Sequence, residues 1–252
     1  MLSCSTSTPP PASPPSRSTG PALNTLDRAL SDGLRDALAP VEFDDAVRAV
    51  VLQGARSHFM AGGDLKIFHA MLDRAPDDRR QQFEHFIADV HEAIIRIRRV
   101  GKPVIASVRG AVAGFGLSLM NSCDLAVATD DAYFTMAYCN IGASPDGSGT
   151  YGLPRVVGLK RAMEIALLGD RFDAAQALDW GLANRVVPAA ELDATTRALG
   201  RTRQLLNASL TRTLSEQLLA EQESFSACTT DAYFEHGARA FVEKRKPRFE
   251  GR

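Results

Sequence analysis

The sequence predicts an α/β fold with a mostly parallel sheet, followed by a helical C-terminal region. Three short runs of apolar, largely β-branched residues have the character of strands covered on both faces: residues 47–52, 103–108 and 125–129. The segments between them carry apolar residues at helical spacing. Because strands that alternate with helices need crossover connections, parallel pairing is favoured.

The first element is an amphipathic helix that begins near Leu23. Leucines recur there at helical intervals, and Asn24 or Thr25 is suited to cap the first turn. Pro40 lacks the N–H that a helix interior requires, so we expect the helix to end before it. The first buried strand follows and stops at Gly54.

Further helices are predicted between the strands and along the last third of the chain. The central ones are residues 64–72, a long helix with Phe83, Ile87, Val90, Ile94 and Ile97 at helical spacing, and one opening near Gly114. After Gly158 the pattern is helical, apart from a short extended piece at 185–187 before Pro188. The longest helical stretches there are 198–219 and 225–242.

Residues 1–21 differ in composition from the rest of the chain. They contain six of the 13 prolines, nine serines or threonines and no acidic residue. Such a segment buries too little apolar surface to offset its conformational entropy, so we expect a disordered tail. With Arg17 as its single arginine, it is poor in the basic residues of a transit peptide.

Charge and cysteine usage exclude several classes of function. A formal net charge of −1 gives no field that would attract nucleic acid or an anionic membrane. No stretch approaches the roughly 20 apolar residues of a membrane span. The four cysteines lack metal-site spacing, as do the five histidines, to which we assign no role. A cytoplasmic protein without metal is therefore expected.

Two glycine-bearing turns are the first candidates for chemistry, since each follows a buried strand and opens a helix. They are residues 60–65 (MAGGDL) and 110–118 (GAVAGFGLS). Small residues allow close backbone approach, and free N–H groups at a helix N-terminus favour negative charge. Two facing turns could share one oxyanion; the alternative is that the glycines serve only tight packing.

Taken in order, several segments resemble the crotonase, or enoyl-CoA hydratase/isomerase, superfamily. The similarity extends from about residue 22 to 252 and rests on segments 22–24, 58–65, 102–110, 114–124, 145–150, 177–187 and 241–252. It implies a repeated β-β-α spiral, with an acyl-CoA-binding core at 22–195 and a helical C-terminal region at 196–252. That region would build a homotrimer or a hexamer, formed as a dimer of trimers. The resemblance implies no cofactor beyond the coenzyme A of the thioester substrate.

The resemblance also implies a set of site residues. The backbone N–H groups of Gly63 and Phe115 would hold the thioester oxygen, and the phenylalanine, which replaces a usual glycine, keeps its N–H while crowding the acyl pocket. Residues implied in substrate binding are Ala61, Gly62, Asp64, Leu65, Lys66, Gly114, Ser118, Tyr138 and Lys244.

The predicted reaction follows from a departure at two of these positions. Ser118 and Tyr138 stand where the resembled hydratases carry two glutamates, and neither side chain activates water well. Asp146 matches the aspartate of members that move double bonds, so a double-bond isomerase with Asp146 as general acid/base is predicted. An enoyl-CoA hydratase and a non-catalytic acyl-CoA-binding protein are the alternatives. The structural alternative for Asp146 is a turn or helix cap.

A dehalogenase is a less favoured member of the same comparison. Asp146 also matches the nucleophile of 4-chlorobenzoyl-CoA dehalogenase, and Tyr138 falls at its tryptophan. Its histidine aligns near Ile95, one helical turn from His91, so dehalogenation ranks below isomerisation.

Overall fold

The computed structural model describes residues 2–6, 23–44, 47, 49–192, 209, 212–229 and 232–245. Its larger sheet has five strands in the order β1-β2-β3-β5-β8. These are β1 (Leu2–Thr6), β2 (Val50–Gly54), β3 (Val104–Val108), β5 (Leu125–Thr129) and β8 (Arg185–Val187). The strands β2, β3, β5 and β8 pair in parallel, as predicted, while β1 joins the edge antiparallel to β2.

A smaller sheet of three short strands was not predicted. It consists of β4 (Ala111–Ala113), β6 (Tyr133–Thr135) and β7 (Phe172–Asp173), in the order β4-β6-β7. The strands β4 and β6 are parallel and β7 is antiparallel to β6. This sheet lies next to the second glycine turn and fixes where that turn begins.

Eight α-helices complete the described part of the chain. They are α1 (Arg28–Phe43), α2 (Leu65–Ala70), α3 (Pro76–Arg99), α4 (Phe115–Ser122), α5 (Gly149–Leu168), α6 (Ala174–Asp179), α7 (Leu214–Cys228) and α8 (Ala232–Val242). A 3₁₀ helix at Tyr138–Ile141 precedes the segment that contains Asp146. In the part of the chain that is described, no helix has the length and apolar character needed to cross a membrane.

Alternation along the strands divides the core between the two faces of the larger sheet. Val104, Ala106 and Val108 belong to the main cluster of buried residues, whereas Ile105 packs with Val127 in a second, smaller cluster. Successive residues of a strand point to opposite faces, so a nearly continuous apolar run indicates a sheet covered on both sides. The prediction of doubly covered strands is confirmed for β3, where every residue is buried.

The first helix differs from the prediction at both ends. Asn24 has a left-handed backbone with φ of 50° and its amide donates to the carbonyl of His58, so it does not cap the helix. The cap is Asp27, whose carboxylate accepts from the N–H of Leu30. Pro40 lies inside the helix, which continues to Phe43 because Val41 extends the buried face.

The two ends of the chain require further corrections. Leu2–Thr6 form an edge strand rather than part of a disordered tail, so the first sheet is not short of an edge at this position; the remaining residues of that predicted tail lie outside the described part. The expected helix over 198–219 is interrupted at Thr213, which caps α7 through a reciprocal pair of hydrogen bonds with Glu216. Most of its earlier residues are also outside the described ranges. The helix expected over 225–242 is likewise divided between α7 and α8.

Candidate active site

Two loops that carry the predicted oxyanion donors are brought together by a short parallel bridge between Met60 and Val112. The N–H of Met60 donates to the carbonyl of Ala111 (3.1 Å), and the N–H of Ala113 donates to the carbonyl of Met60 (2.9 Å). Beyond this bridge the two chains continue side by side into the glycine turns. The spacing of the turns is therefore set by backbone hydrogen bonds, to which the N–H of Ala111 adds a bond to Nδ1 of the His58 side chain (3.0 Å).

The first loop is held by Leu26 in a way that leaves one N–H available. Leu26 donates to the carbonyl of Gly62 (2.7 Å) and accepts from the N–H of Asp64 (3.0 Å). These two bonds pair the neighbours of Gly63, whose own N–H has no hydrogen-bond acceptor among the described residues. The Asp64 carboxylate then caps α2 by accepting from the N–H of Lys66 (2.9 Å).

The second loop presents the N–H of Phe115, the first residue of α4. Gly114 has φ of 52° and ψ of −121°, a combination that side-chain-bearing residues avoid, and its N–H donates to the carbonyl of Thr135 (3.0 Å). Within the described chain the N–H of Phe115 also has no acceptor. A Cβ placed on Gly114 would lie 3.6 Å from Cα of Gly62, so the two loops are in contact. Two adjacent free N–H groups, one at a helix N-terminus, form a site suited to an oxyanion.

Asp146 lies in the segment between the 3₁₀ helix and α5, and three side chains hold this segment. The hydroxyl of Tyr138 donates a short hydrogen bond to Oδ1 of Asp146. Oγ of the buried Ser118, on α4, donates to the backbone carbonyl of Asp146 (2.9 Å). The N–H of Gly147 donates to Nε2 of His91 on α3 (3.3 Å).

The contacts of Asp146 argue against a capping role for its side chain. The cap position of α5 is Ser148, and the carboxylate of Asp146 bonds to Tyr138 instead of the helix N-terminus. The carbonyl of Asp146 does accept from the N–H of Gly149 (3.0 Å), which is an ordinary turn bond. The turn predicted for the Pro-Asp-Gly sequence is thus present. The carboxylate of Asp146 does not take part in it and bonds to Tyr138.

Burial changes the pKa values of both Asp146 and Tyr138. Burial raises the pKa of the Asp146 carboxyl, and this rise is opposed by the hydrogen bond from Tyr138 and, when the imidazole is protonated, by His91. Burial also raises the pKa of Tyr138, further increased by the negative charge of Asp146. Tyr138 therefore remains a protonated donor over the physiological range, and the carboxylate is a stronger base than one in water.

The oxyanion loops and the Asp146 segment share walls. A Cβ placed on Gly114 would lie 3.8 Å from Cε2 of the Tyr138 ring. A Cβ placed on Gly147 would lie 2.5 Å from Cε2 of Phe115, whose side chain is only 3% exposed. Phe115 thus contributes an N–H to one half of the site and an aromatic surface to the other. The two halves form one candidate active site.

Other predicted binding residues are placed less centrally. Ala61 donates its N–H to the carbonyl of Leu23 (3.1 Å) and so helps hold the first loop. Leu65 and Lys66 are exposed on α2, beside the first loop. Lys244 follows α8 with φ of 54°, and no described hydrogen bond or ion pair joins it to the two loops. Among the described residues, no group of three or more His, Cys, Asp or Glu side chains is arranged to hold a metal ion.

His91 is the site residue that the sequence analysis missed. Its side chain contacts the Asp146 segment, although Ile95 was the position that the family comparison suggested for a histidine. A signal was present, because His91 follows Ile87 by four residues and precedes Ile94 by three on the same helix. This spacing places His91 on the helix face that carries the apolar residues, which indicates contact with the rest of the protein.

Comparisons with known proteins give a family match and several relatives. Residues 19–252 match the family described as enoyl-CoA hydratase/isomerase. The chain is 34% identical over 242 residues to 1,2-epoxyphenylacetyl-CoA isomerase of Escherichia coli (strain K12), with 91% of each chain covered. It is 36% identical over 167 residues to 4-chlorobenzoyl coenzyme A dehalogenase-1 of Arthrobacter sp., with 66% of this chain and 59% of that protein covered.

A solved structure has the same architecture. The crystal structure of an enoyl-CoA hydratase from Polaromonas sp. JS666 superimposes with a TM-score of 0.73 at 33% identity, covering 87% of this chain and 89% of that one. The superposition confirms the predicted α/β fold class. These relatives have three different reaction names, so the reaction of this chain has to be inferred from its own side chains.

Proposed function

This chain belongs to the enoyl-CoA hydratase/isomerase family, and from that premise we propose that it moves a double bond in an acyl-CoA thioester, with Asp146 as the acid/base. The observation that carries the proposal is the pairing of Asp146 with Tyr138 beside two unpaired N–H groups. A single carboxylate near a thioester enolate is sufficient for a proton shuttle.

The first step would be the removal of an α-proton from a 3-enoyl thioester. The carbonyl oxygen would lie between the N–H groups of Gly63 and Phe115, which stabilise the negative charge that develops on it. Asp146 would take the proton from the α-carbon, and the electron pair of the broken C–H bond would delocalise through the dienolate to the thioester oxygen. One donor of this kind contributes about 2.7 to 4 kcal/mol to lowering the barrier.

The second step would return a proton to a different carbon, with Asp146 exchanging its proton with solvent in some turnovers. Protonated Asp146 would deliver it to the γ-carbon, which moves the double bond into conjugation with the thioester and restores the carboxylate. Tyr138 would hold the carboxyl in place throughout, because its raised pKa keeps it a donor. The raised pKa of Asp146 brings proton transfer closer to balance in both directions.

Hydration is less well supported by the same side chains. Adding water requires one group to activate the water and another to deliver a proton. The Ser118 hydroxyl donates to the carbonyl of Asp146 and the Tyr138 hydroxyl donates to its carboxylate. Both groups at the hydratase positions are thus engaged in fixing Asp146.

The proposal is tested by proton exchange in the substrate. Trans-3-hexenoyl-CoA in D₂O should incorporate deuterium and isomerise with the wild-type protein, and the Asp146→Asn variant should be slower by about 10²- to 10⁴-fold. Mass spectrometry and the absorbance of the conjugated thioester measure the two events. Asn keeps an oxygen that can accept from Tyr138, so the variant removes the base with little change in shape.

The control and the contrary outcomes are direct. An Asp170→Asn variant changes an exposed carboxylate that follows α5 and should exchange at the wild-type rate. Equal exchange by wild type and Asp146→Asn would remove Asp146 from the mechanism. Fast hydration of crotonyl-CoA without isomerisation of the 3-enoyl substrate would instead favour a hydratase, and tight thioester binding without exchange a non-catalytic binder.

A second candidate reaction is dehalogenation. The observation that favours it is the contact between His91 and Gly147, since the dehalogenase of the comparison also has a histidine in its site. In a dehalogenase, the carboxylate of Asp146 would displace halide from the ring of an aryl-CoA, and water would then hydrolyse the aryl ester. The short hydrogen bond from Tyr138 withdraws charge from that carboxylate, which makes it a weaker nucleophile. Release of chloride from 4-chlorobenzoyl-CoA distinguishes this reaction from isomerisation.

Substrate anchoring and assembly complete the proposal. Lys66 on α2 and Lys244 after α8 are proposed to contact the anionic part of coenzyme A, and no other cofactor is required by the proton shuttle. Assembly as a trimer or a dimer of trimers, and a cytoplasmic location, remain predictions from the family resemblance. The substrate is proposed to be an unsaturated acyl-CoA.

A further inference from the structure

We propose that His91 is a positioning residue for Asp146, acting through the peptide that joins Asp146 to Gly147. This inference rests on the acid/base role proposed for Asp146. The carrying observation is that Nε2 of His91 accepts the N–H of Gly147 (3.3 Å), directly after the carboxylate-bearing residue. Neither His91 nor Gly147 belongs to the oxyanion loops.

The segment around Asp146 is held from three separate elements. Tyr138 of the 3₁₀ helix bonds the carboxylate, Ser118 of α4 bonds the carbonyl, and His91 of α3 bonds the following N–H. The last two contacts act on the two sides of one peptide unit. Together they set the rotation of that peptide and therefore the direction in which the Asp146 side chain leaves the backbone.

Gly147 has little freedom to compensate for a lost contact. It is buried, has φ of 57°, and lies so close to the Phe115 ring that an added Cβ would be 2.5 Å from Cε2. Phe115 therefore limits its movement from one side. The remaining orientation of its N–H is determined by the acceptor on His91.

The contact specifies the protonation state of His91. To accept at Nε2, the imidazole must be neutral with its hydrogen on Nδ1. Protonation of Nε2 would remove the acceptor and would place a positive charge that holds the pKa of the Asp146 carboxyl lower. A protonated His91 would thus both release the peptide and weaken the base.

The charged and titratable groups around His91 come from two directions. Asp146, which bonds to Tyr138, acts on it electrostatically from the segment before α5. On α3 itself, Asp89 and Glu92 are near in sequence, and both carboxylates pair with an arginine of α1. His91 is exposed, so its imidazole can exchange protons with solvent.

Two substitutions at this position separate positioning from packing. His91→Gln keeps an uncharged acceptor, Oε1, at nearly the reach of Nε2, whereas His91→Leu removes the acceptor. With trans-3-hexenoyl-CoA we expect His91→Leu to lower kcat about tenfold with KM changed less than about twofold. His91→Gln should restore kcat to within about threefold of wild type. His85→Gln, an exposed histidine on the same helix, should match the wild type.

A second readout does not depend on turnover. The amide resonance of Gly147, measured by NMR at pH 7, should keep nearly its wild-type chemical shift in His91→Gln and in His85→Gln. We expect it to move in His91→Leu, which removes the acceptor of that N–H.

The outcomes distinguish this inference from the proposed function. If Asp146→Asn exchanges as fast as wild type, the acid/base role fails, and a Gly147 resonance that still moves in His91→Leu shows that the contact is structural only. If Asp146→Asn is inactive but His91→Leu has wild-type kcat, the positioning role alone is overturned. Equal loss of kcat in His91→Leu and His91→Gln would also overturn it, since packing would then explain the effect.

Discussion

The two halves of the candidate site consist of different kinds of group, backbone N–H groups in one and side chains in the other. The oxyanion half uses backbone N–H groups of Gly63 and Phe115, fixed by bonds from Leu26 and Thr135. The acid/base half uses side chains of Asp146, Tyr138 and Ser118. A backbone donor persists whatever side chain its residue carries, whereas a proton shuttle depends on each functional group. Substitution can therefore rewrite the reaction in the second half without dismantling the first.

The family and the reaction are indicated by residues at different positions. The backbone geometry of the glycine turns requires small residues at Gly62 and Gly114, and enolate stabilisation by these turns is part of the proposed function. Ser118 and Tyr138 indicate which proton transfers are available. The presence of serine and tyrosine there converts two potential reacting groups into supports for one carboxylate.

Changing the backbone half should produce the largest effect on rate. Gly114→Ala places a side chain at φ of 52° and ψ of −121°, which should rotate the following peptide and misdirect the N–H of Phe115. We expect kcat for isomerisation of trans-3-hexenoyl-CoA to fall about 10²- to 10³-fold, the usual cost of a lost oxyanion donor. Steady-state kinetics measure the loss.

A matched glycine separates this effect from general destabilisation. Gly158 also has a left-handed backbone, with φ of 74°, but nothing lies within 4 Å of an added Cβ there. Gly158→Ala should lower stability and keep kcat near the wild-type value. If both variants lose kcat equally, the backbone half does not have the separate role described for it.

Removing one support from the side-chain half should have a smaller and pH-dependent effect. Tyr138→Phe deletes the donor to Asp146, and since that hydrogen bond lowers the pKa of the carboxyl, its loss should raise the pKa further. The base must be ionised to act, so the acidic limb of the kcat/KM profile should move to higher pH. At pH 7 we expect kcat to fall about tenfold, as hydrogen bonds to charged groups contribute about 1.5 kcal/mol.

Tyr151→Phe is the control for this substitution, because Tyr151 is exposed on α5. Its pH profile should overlay that of the wild type. A Tyr138→Phe profile that keeps the wild-type acidic limb would mean that Tyr138 does not control the proton affinity of Asp146.

Residues of both halves of the candidate site were named from the family resemblance, whereas His91 was given no role in the isomerase prediction. Glycines at a strand-to-helix turn indicate either an anion site or tight packing, and Gly114 lies at such a turn, directly before the first residue of α4. The role of His91 depends on the distance between α3 and the segment before α5, which are far apart along the chain. No local pattern specifies that distance, so only the helical spacing from Ile87 hinted at it.

The same reasoning accounts for the errors in the fold. The buried strand β5 was predicted with its observed bounds, because apolar runs are strong signals, and the short extended piece predicted at 185–187 is the partly exposed strand β8. The strands β4 and β6 have three residues each and β7 has two, too few for alternation to be visible. Leu2–Thr6 is rich in serine and threonine, and its pairing with β2 is a tertiary interaction that overrides its composition.

The smallest expected effect concerns stability, and it tests whether the acid/base half is strained for function. Because burial raises the pKa of Asp146 in the folded state, the folded protein binds this proton more tightly than the unfolded chain does. The stabilisation from the protonated form is fully present below the unfolded pKa and is lost as pH rises through the folded pKa. An ionised Asp146 at pH 7 therefore destabilises the fold. Asp146→Asn should raise the melting temperature at pH 7 by about 2 to 4 °C, measured by calorimetry.

Well below the unfolded pKa of about 3.9, the wild-type carboxyl is protonated in both states, so the advantage of Asp146→Asn should disappear there. Asp170→Asn, at an exposed position, should show no comparable pH-dependent gain. A variant that is inactive yet more stable at neutral pH would show that the carboxylate serves the reaction and destabilises the folded protein. The backbone half predicts the opposite sign, because Gly114→Ala should lose both rate and stability. An Asp146→Asn protein that melts at or below the wild-type temperature at pH 7 would remove this distinction between the two halves.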